Sequence, residues 1–238
     1  MVAESAISRG VLSDTVRDRL LAAILDGRYP PGARIVETRV ARQLGTSQAP
    51  VREALRDLEA LGVVEITAFR GARVRRPSPD ELLDAFAVRS ELETLAVRLA
   101  VPRLTDADLA GLGACLDSMH RAAGSGDTVA EAAADAAFHG TFVGLSGNGT
   151  LTRVWDRLEP FSRTYISLAI PGADRVRIAG LHTGILDALR QRDGAAAEAA
   201  IKHHFTDTGA MLVARLAASP QPDAQPSEAP IPSTERTR

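Results

Sequence analysis

The run "DAAFHGTF" places Asp135 and His139 four residues apart. On a helix that spacing puts both on one face. Phe138 and Phe142 lie on or beside the same face. A carboxylate on such an apolar stripe costs on the order of several kcal/mol unless it is paired or bound to a metal. His182, in "LHTGILDALR", shares its face with Ile178, Ile185 and Leu189. His204, in "KHHFTDTGAML", aligns with Ala200, Ile201 and Met211. Three of the five histidines therefore point inward from apolar helices that should line one bundle. Imidazole and carboxylate ligands suit a divalent metal ion, with Zn first and Ni, Mn or Fe as alternatives. An octahedral site would leave coordination positions open. The residues alone leave a second reading standing, three core histidines satisfied by hydrogen bonds. His120 and His203 fall outside the pattern and read as surface or packing residues.

A different chemistry is written in "GTSQAPVREALRDLEALG", Gly45 to Gly62. Ser47 is a helix cap whose position leaves the first backbone N–H groups for an anion such as a phosphate. Pro50 is tolerated in a first turn because its missing N–H has no intrahelical partner there. Gln48 has the geometry to pair with adenine and Arg52 with guanine. Arg56, one turn deeper, suits a phosphate. Val51, Ala54, Leu55, Leu58 and Leu61 supply the opposite, buried stripe. Read without its neighbours, the polar face serves equally as a solvated, salt-bridged surface using Arg52, Glu53, Arg56 and Asp57.

The surrounding elements decide between these. "LSDTVRDRLLAAILDGRYPPG" predicts a first helix capped by Ser13 and stopped at Gly27. A short helix follows from about Glu37 to Leu44, ended by Gly45. "VVEITAFRGARVRR" predicts two short strands around a turn at Gly71, with Arg70, Arg73 and Arg75 on the hairpin. Three helices and a hairpin make a winged helix-turn-helix over 8–76. A linker and the start of the next helix occupy 77–81, where Ser78, Pro79 and Glu81 combine a cap, a first-turn proline and a capping-box glutamate. Helices are predicted near 79–101, 105–123, 128–146, 150–169, 174–192 and 195–218, an all-α bundle over 79–218. The Pro- and Ser-rich tail 219–238 lacks a core pattern and reads as disordered. The fold class is thus mainly α, a winged helix-turn-helix followed by a helical bundle.

Charge follows this division. Residues 1–76 hold 13 arginines against 9 acidic residues, a net +4, which leaves −6 for the rest of a chain totalling −2. A basic first third on an acidic body suits one part meeting a polyanion. Cys115 is the single cysteine, so no internal disulfide or cysteine zinc site can form. No stretch of about 18 apolar residues predicts a membrane span. The N-terminus does not read as a signal peptide, and the expected location is the cytoplasm.

The stretch "PGARIVETRVARQLGTSQAPVREALRDLEALGVVE", with "FRGARV", resembles the winged-helix domain of GntR-type bacterial transcription regulators. Its most specific signature is "PVREAL". The helical part resembles the FCD ligand-binding domain of the FadR subfamily, so the resemblance spans the chain up to its tail. It implies Ser47, Gln48, Arg52, Arg70 and Gly71 as DNA-facing positions, with Arg56 added by the residue reading above. It also implies that "DxxxH" followed by two later histidines is a metal pattern, which assigns Asp135, His139, His182 and His204. Two departures stand out. Many members have Arg where this chain has Gln48. The family usually has Glu before the second histidine, where this chain has Leu181, removing an outer acceptor.

Arg89 follows Leu82 and Phe86 at helical spacing, with Glu93 one turn later. The resemblance makes Arg89 a carboxylate clamp for an effector; the residues alone also allow an internal Arg89–Glu93 pair. The expected function is a homodimeric regulator that binds double-stranded operator DNA and responds to a small carboxylate effector. It is expected not to be an enzyme. Two other classes remain readable, a metal-dependent enzyme fused to a DNA-binding domain and an architectural DNA binder without effector.

Overall fold

The computed structural model describes residues 2–67, 70–76, 78–168 and 174–218. The disordered-tail reading for 219–238, Pro77 of the linker, and most of the "PGAD" break lie outside the described residues. The chain forms two compact units divided after Arg76.

The first unit contains α1 (Val2–Leu25), β1 (Arg34–Ile35), α2 (Glu37–Gln43), α3 (Gln48–Ala60), β2 (Val64–Thr67) and β3 (Gly71–Val74). Helix α1 does not begin at Ser13, contrary to the sequence expectation; it runs through it, and Ser13 is buried. Ala, Glu, Ile and Val upstream are all compatible with a helix, so the serine has no chain departure to cap. Helix α1 packs against α3, and Val16, Leu20 and Ile24 of the first and Val51, Leu55 and Leu58 of the second are all buried. Leu61 is only half-buried, because α3 has ended and Leu61 is its C-cap. Between α2 and α3, Gly45 takes φ +64°, and Thr46 N–H reaches back to the Ala41 carbonyl at 2.9 Å. Only glycine enters that left-handed region without strain, so the turn is tight by residue choice.

The sheet has three strands in the order β1-β3-β2, all antiparallel. Ile35 opposes Ala72, and Val64 opposes Val74. Strand β1 was not legible as a strand, since two residues are too short for any alternation. Gly71 opens β3 at φ +81°, where the hairpin turns back.

The second unit is helical throughout its described residues: α4 (Pro79–Ala100), a 3-10 turn (Val101–Arg103), α5 (Asp106–Ser125), α6 (Thr128–Leu145), α7 (Gly149–Leu168), α8 (Arg175–Gly180), α9 (His182–Arg190) and α10 (Gly194–Ala218). Helix α4 starts with a full capping box, Ser78 Oγ accepting from Glu81 N–H and Glu81 accepting from Ser78 N–H. Thr105 and Asp108 repeat the device at α5. Helix α4 packs along α10 and touches α6 and α7. Phe138, Phe142, Leu112, Ile185, Leu189 and Ile201 form the center of its core.

One predicted helix, 174–192, is two. The break falls at Leu181, whose N–H is shared between the carbonyls of Arg177 and Ile178. That tightened turn makes His182 the first residue of α9.

Candidate recognition helix and candidate metal centre

Helix α3 carries its exposed polar face as Gln48, Arg52 and Arg56, while Pro50, Val51, Ala54, Leu55 and Leu58 are buried. Ser47 has extended backbone at the N-cap, but its side chain makes no capping hydrogen bond. The expectation that its hydroxyl caps the helix is therefore corrected. The first-turn amides gain no partner from Ser47. Arg52 is 53% exposed, and its Nε donates to Glu37 Oε2 at 3.0 Å, across the turn from α2. Sequence spacing had paired Arg52 with neighbors on its own helix; the recorded partner lies on another. On the hairpin, Arg70 and Gly71 are exposed. Arg73 is exposed too, and its Nη1 donates to the Gly32 carbonyl at 3.0 Å.

In the second unit, His139, His182 and His204 are buried together, and one ring nitrogen from each lies within 4.8 Å of the others. They come from α6, the start of α9, and α10. Helical period explains how each leaves its apolar stripe on the inner face; the packing of three helices brings the rings together. Asp135, one turn before His139, is 15% exposed and places Oδ1 3.1 Å from His182 Nε2 and 3.8 Å from His139 Nε2. His203 is exposed beside Asp207, and His120 is half-buried.

The outer partners dictate how two of the rings carry their protons. His139 Nδ1 lies 2.5 Å from Glu93 Oε2. His182 Nδ1 lies 3.1 Å from the Ala179 carbonyl, which can only accept. Both rings are thus hydrogen-bonded as Nδ1–H donors. In their neutral forms their Nε2 lone pairs face one another at 3.1 Å, and the Asp135 carboxylate faces both. Three acceptors meeting this closely need a positive center among them, either a second proton on His182 or a cation. His204 adds a further unmet demand: its buried Nδ1 has no hydrogen-bond partner among the described residues.

The electrostatics agree. Burial acts to raise the Asp135 carboxyl, but the hydrogen bond with His182 and the surrounding His139, His182 and Arg89 outweigh it, holding the group well below the usual carboxylate range. Burial pushes His204 well below the ordinary histidine range, and the neighboring His182 and His139 push it further. A neutral imidazole beside an ionised carboxylate is the protonation state that metal ligation requires.

Arg89 is 1% exposed, and its Nε and Nη2 donate to Glu93 Oε1 at 2.9 and 2.7 Å. Trp155 Nε1–H donates to the same oxygen at 2.7 Å. Burial would raise Glu93, yet Arg89 first, then His139 and Trp155, bring it down to about 2. Sequence reading named Glu93 only as Arg89's partner and missed its contact with His139, which is 46 residues away. It also missed Glu131, one turn before Asp135, paired with Arg175 at 2.6 Å. The i−4 spacing from Asp135 was the available signal. Leu181 does stand where an acceptor was expected, and the Ala179 carbonyl takes that place for His182.

Comparison with known proteins agrees with both units. Residues 12–74 match the family described as bacterial regulatory proteins, gntR family, and residues 84–207 match the FCD domain. The chain is 37% identical over 198 residues to a probable D-xylose utilization operon transcriptional repressor of Paenarthrobacter nicotinovorans, covering 83% of this chain and 87% of that one. It is 27% identical to the galactonate operon transcriptional repressor of Escherichia coli, covering 74% and 86%. Among solved structures it is similar to E. coli McbR/YncC, with TM-score 0.72, 27% identity, and 86% and 98% of the two chains covered. A GntR regulator from Rhodococcus superposes with TM-score 0.74 at 24% identity over 85% and 97%, a likeness of fold.

Proposed function

As the chain belongs to the gntR family of bacterial regulatory proteins and carries an FCD domain, we propose that its helical unit binds a small carboxylate effector through a divalent metal and thereby controls operator binding by its winged helix. The protein is a transcription regulator rather than an enzyme. Asp135, His139, His182 and His204 would hold the metal, with Zn first and Ni, Mn or Fe as alternatives. When bound, the metal supplies a Lewis-acidic center for an anionic oxygen. The observation that carries this reading is the convergence of the Nε2 atoms of His139 and His182 with Asp135 Oδ1. One cation satisfies all three acceptors at once. Arg89, whose charge is felt at Asp135 and His204, adds positive potential for a bound acid.

On the DNA side, Gln48 and Arg52 read base edges, Arg56 meets a phosphate, and the backbone amides beyond Ser47 donate to another phosphate. Arg70 and Gly71 form the wing contact. Two copies binding two half-sites make the working form a homodimer. A regulator of this kind acts in the cytoplasm. Among the described residues, no helix is long and apolar enough to cross a membrane. The names of two relatives, one of a D-xylose utilization operon and one of a galactonate operon, are the reason to include sugars and sugar acids in the screen.

The effector acts only if it binds the DNA-competent and DNA-incompetent states unequally. A coupling of about 1–3 kcal/mol changes operator affinity roughly 5–150-fold. The test is a thermal-shift panel of small organic acids on Zn-loaded and metal-stripped protein, followed by operator titration with each hit. A hit that needs the metal and shifts operator affinity supports the proposal. A full panel with no shift in either form favors a DNA binder without effector.

A further inference from the structure

Glu93 lies at the meeting point of three helices. It sits on α4 with Arg89, faces His139 on α6 and Trp155 on α7, and is wholly buried. Its two oxygens are used differently. Oε1 takes three N–H groups, two from Arg89 and one from Trp155. Oε2 is turned to His139 Nδ1. Arg89 and Trp155 offer only donors at these atoms, so the carboxylate orientation is set from behind. The face left for His139 is then a pure acceptor.

We propose that Glu93 is the positioning residue of the histidine cluster: it draws the single ring proton of His139 to Nδ1 and aims the Nε2 lone pair at the cluster. Arg89 acts through Glu93, as the clamp that holds it, rather than as a direct contact to an effector carboxylate. This rests on the reading that the cluster holds a divalent cation. The logic is that of a carboxylate–histidine–metal relay, in which the outer acceptor selects the tautomer and the ring orientation. His182 has a weaker counterpart in the neutral Ala179 carbonyl. His204 has none at Nδ1 among the described residues. Of the three rings, His139 is therefore the one whose Nδ1 faces a charged group.

The substitution Glu93→Gln separates aim from packing, because it keeps the shape. Its carbonyl must face Arg89 and Trp155, which only donate. Its NH2 then faces His139 and makes Nδ1 the acceptor. The ring proton moves to Nε2 and blocks the lone pair that faces His182. Two readouts follow on the full chain. In metal-free wild-type protein, long-range 15N correlation spectra should show His139 as the Nδ1–H tautomer, assigned by difference with His139→Gln, and in Glu93→Gln as Nε2–H. Zn affinity, measured by chelator competition, should fall about 10–100-fold in Glu93→Gln. Glu93→Asp, which restores an acceptor, should recover part of the loss. A wild-type His139 that carries its proton on Nε2 overturns the proposal even if no variant folds. So does a folded Glu93→Gln protein with wild-type Zn affinity. Wild-type protein that shows the expected tautomer but binds no Zn breaks the metal reading instead and leaves the aiming of His139 by Glu93 intact.

Discussion

The Nε2 atoms of His139 and His182 stand 3.1 Å apart, with Asp135 Oδ1 the same distance from the second of them. Two neutral lone pairs and a carboxylate do not approach like this without a positive charge between them. Where a divalent cation supplies that charge, removing one ligand should remove the cation. His182→Ala is expected to lose bound metal by elemental analysis and to lose the thermal shift that Zn gives the wild type. At a free Zn concentration about 100 times its Kd, that stabilization is about 2.7 kcal/mol. Operator binding without effector should survive in the variant, since no DNA-facing residue is touched. Full metal occupancy in His182→Ala would remove it from the ligand set.

Arg52 and Glu37 form a pair across the turn of the helix-turn-helix. Both are partly exposed, so the pair itself contributes about 0.2–1 kcal/mol to stability. A base contact is worth more. Arg52→Ala should weaken cognate operator binding by about 1–3 kcal/mol and blur preference at one base pair per half-site. Glu37→Gln should lower the preference less, by releasing the arginine without deleting it. Binding titrations on cognate and random duplexes decide this. Equal losses on both would make Arg52 a phosphate contact.

Gln48 opens α3 and is exposed. Its amide suits adenine, whereas an arginine there suits guanine. Gln48→Arg should change the sites selected from random DNA, not only tighten binding. Identical selected motifs would count against a base-reading role.

Ser78 caps the helix that carries Arg89 and Glu93. Ser78→Ala should cost about 0.5–2 kcal/mol. The thermal midpoint should fall by a few degrees, at about 2–4 °C per kcal/mol for a chain of this size. Zn affinity should stay near wild type, because the cap lies turns away from the histidines. A large loss of Zn affinity would mean that α4 frays as far as Glu93.

Trp155 is the chain's one tryptophan, and its indole N–H is bonded to Glu93. Its emission therefore reports the cluster without a label. Zn loading should change the intensity or wavelength of that emission, and His182→Ala should abolish the response. A silent tryptophan in a protein that demonstrably takes up Zn would show that the polar links from Glu93 do not sense the cation.

What the sequence determined by itself is whatever depends on near neighbors along the chain. Ser78, Pro79 and Glu81 specify a helix start because a cap is satisfied within three residues. Asp135 and His139 share a face because the helical period is a local property of the backbone. Gly45 ends one helix and turns the chain because only glycine enters that φ region without strain. The same locality explains the misses. Ser13 looks like a cap, yet the helix continues through it because upstream residues also favor helix. The two-residue β1 depends on its pairing with β3, a strand far along the chain. The long-range partners were decided only by tertiary structure. Glu93 meets His139 across 46 residues, and Arg52 meets Glu37 across 15. A side chain's periodicity tells which way it faces; which atom waits there depends on how helices from distant parts of the chain are packed. For that reason the histidines could be assigned to one interior, and an Arg89–Glu93 pair allowed, from the sequence, while the meeting of Glu93 with His139 and Trp155 could not.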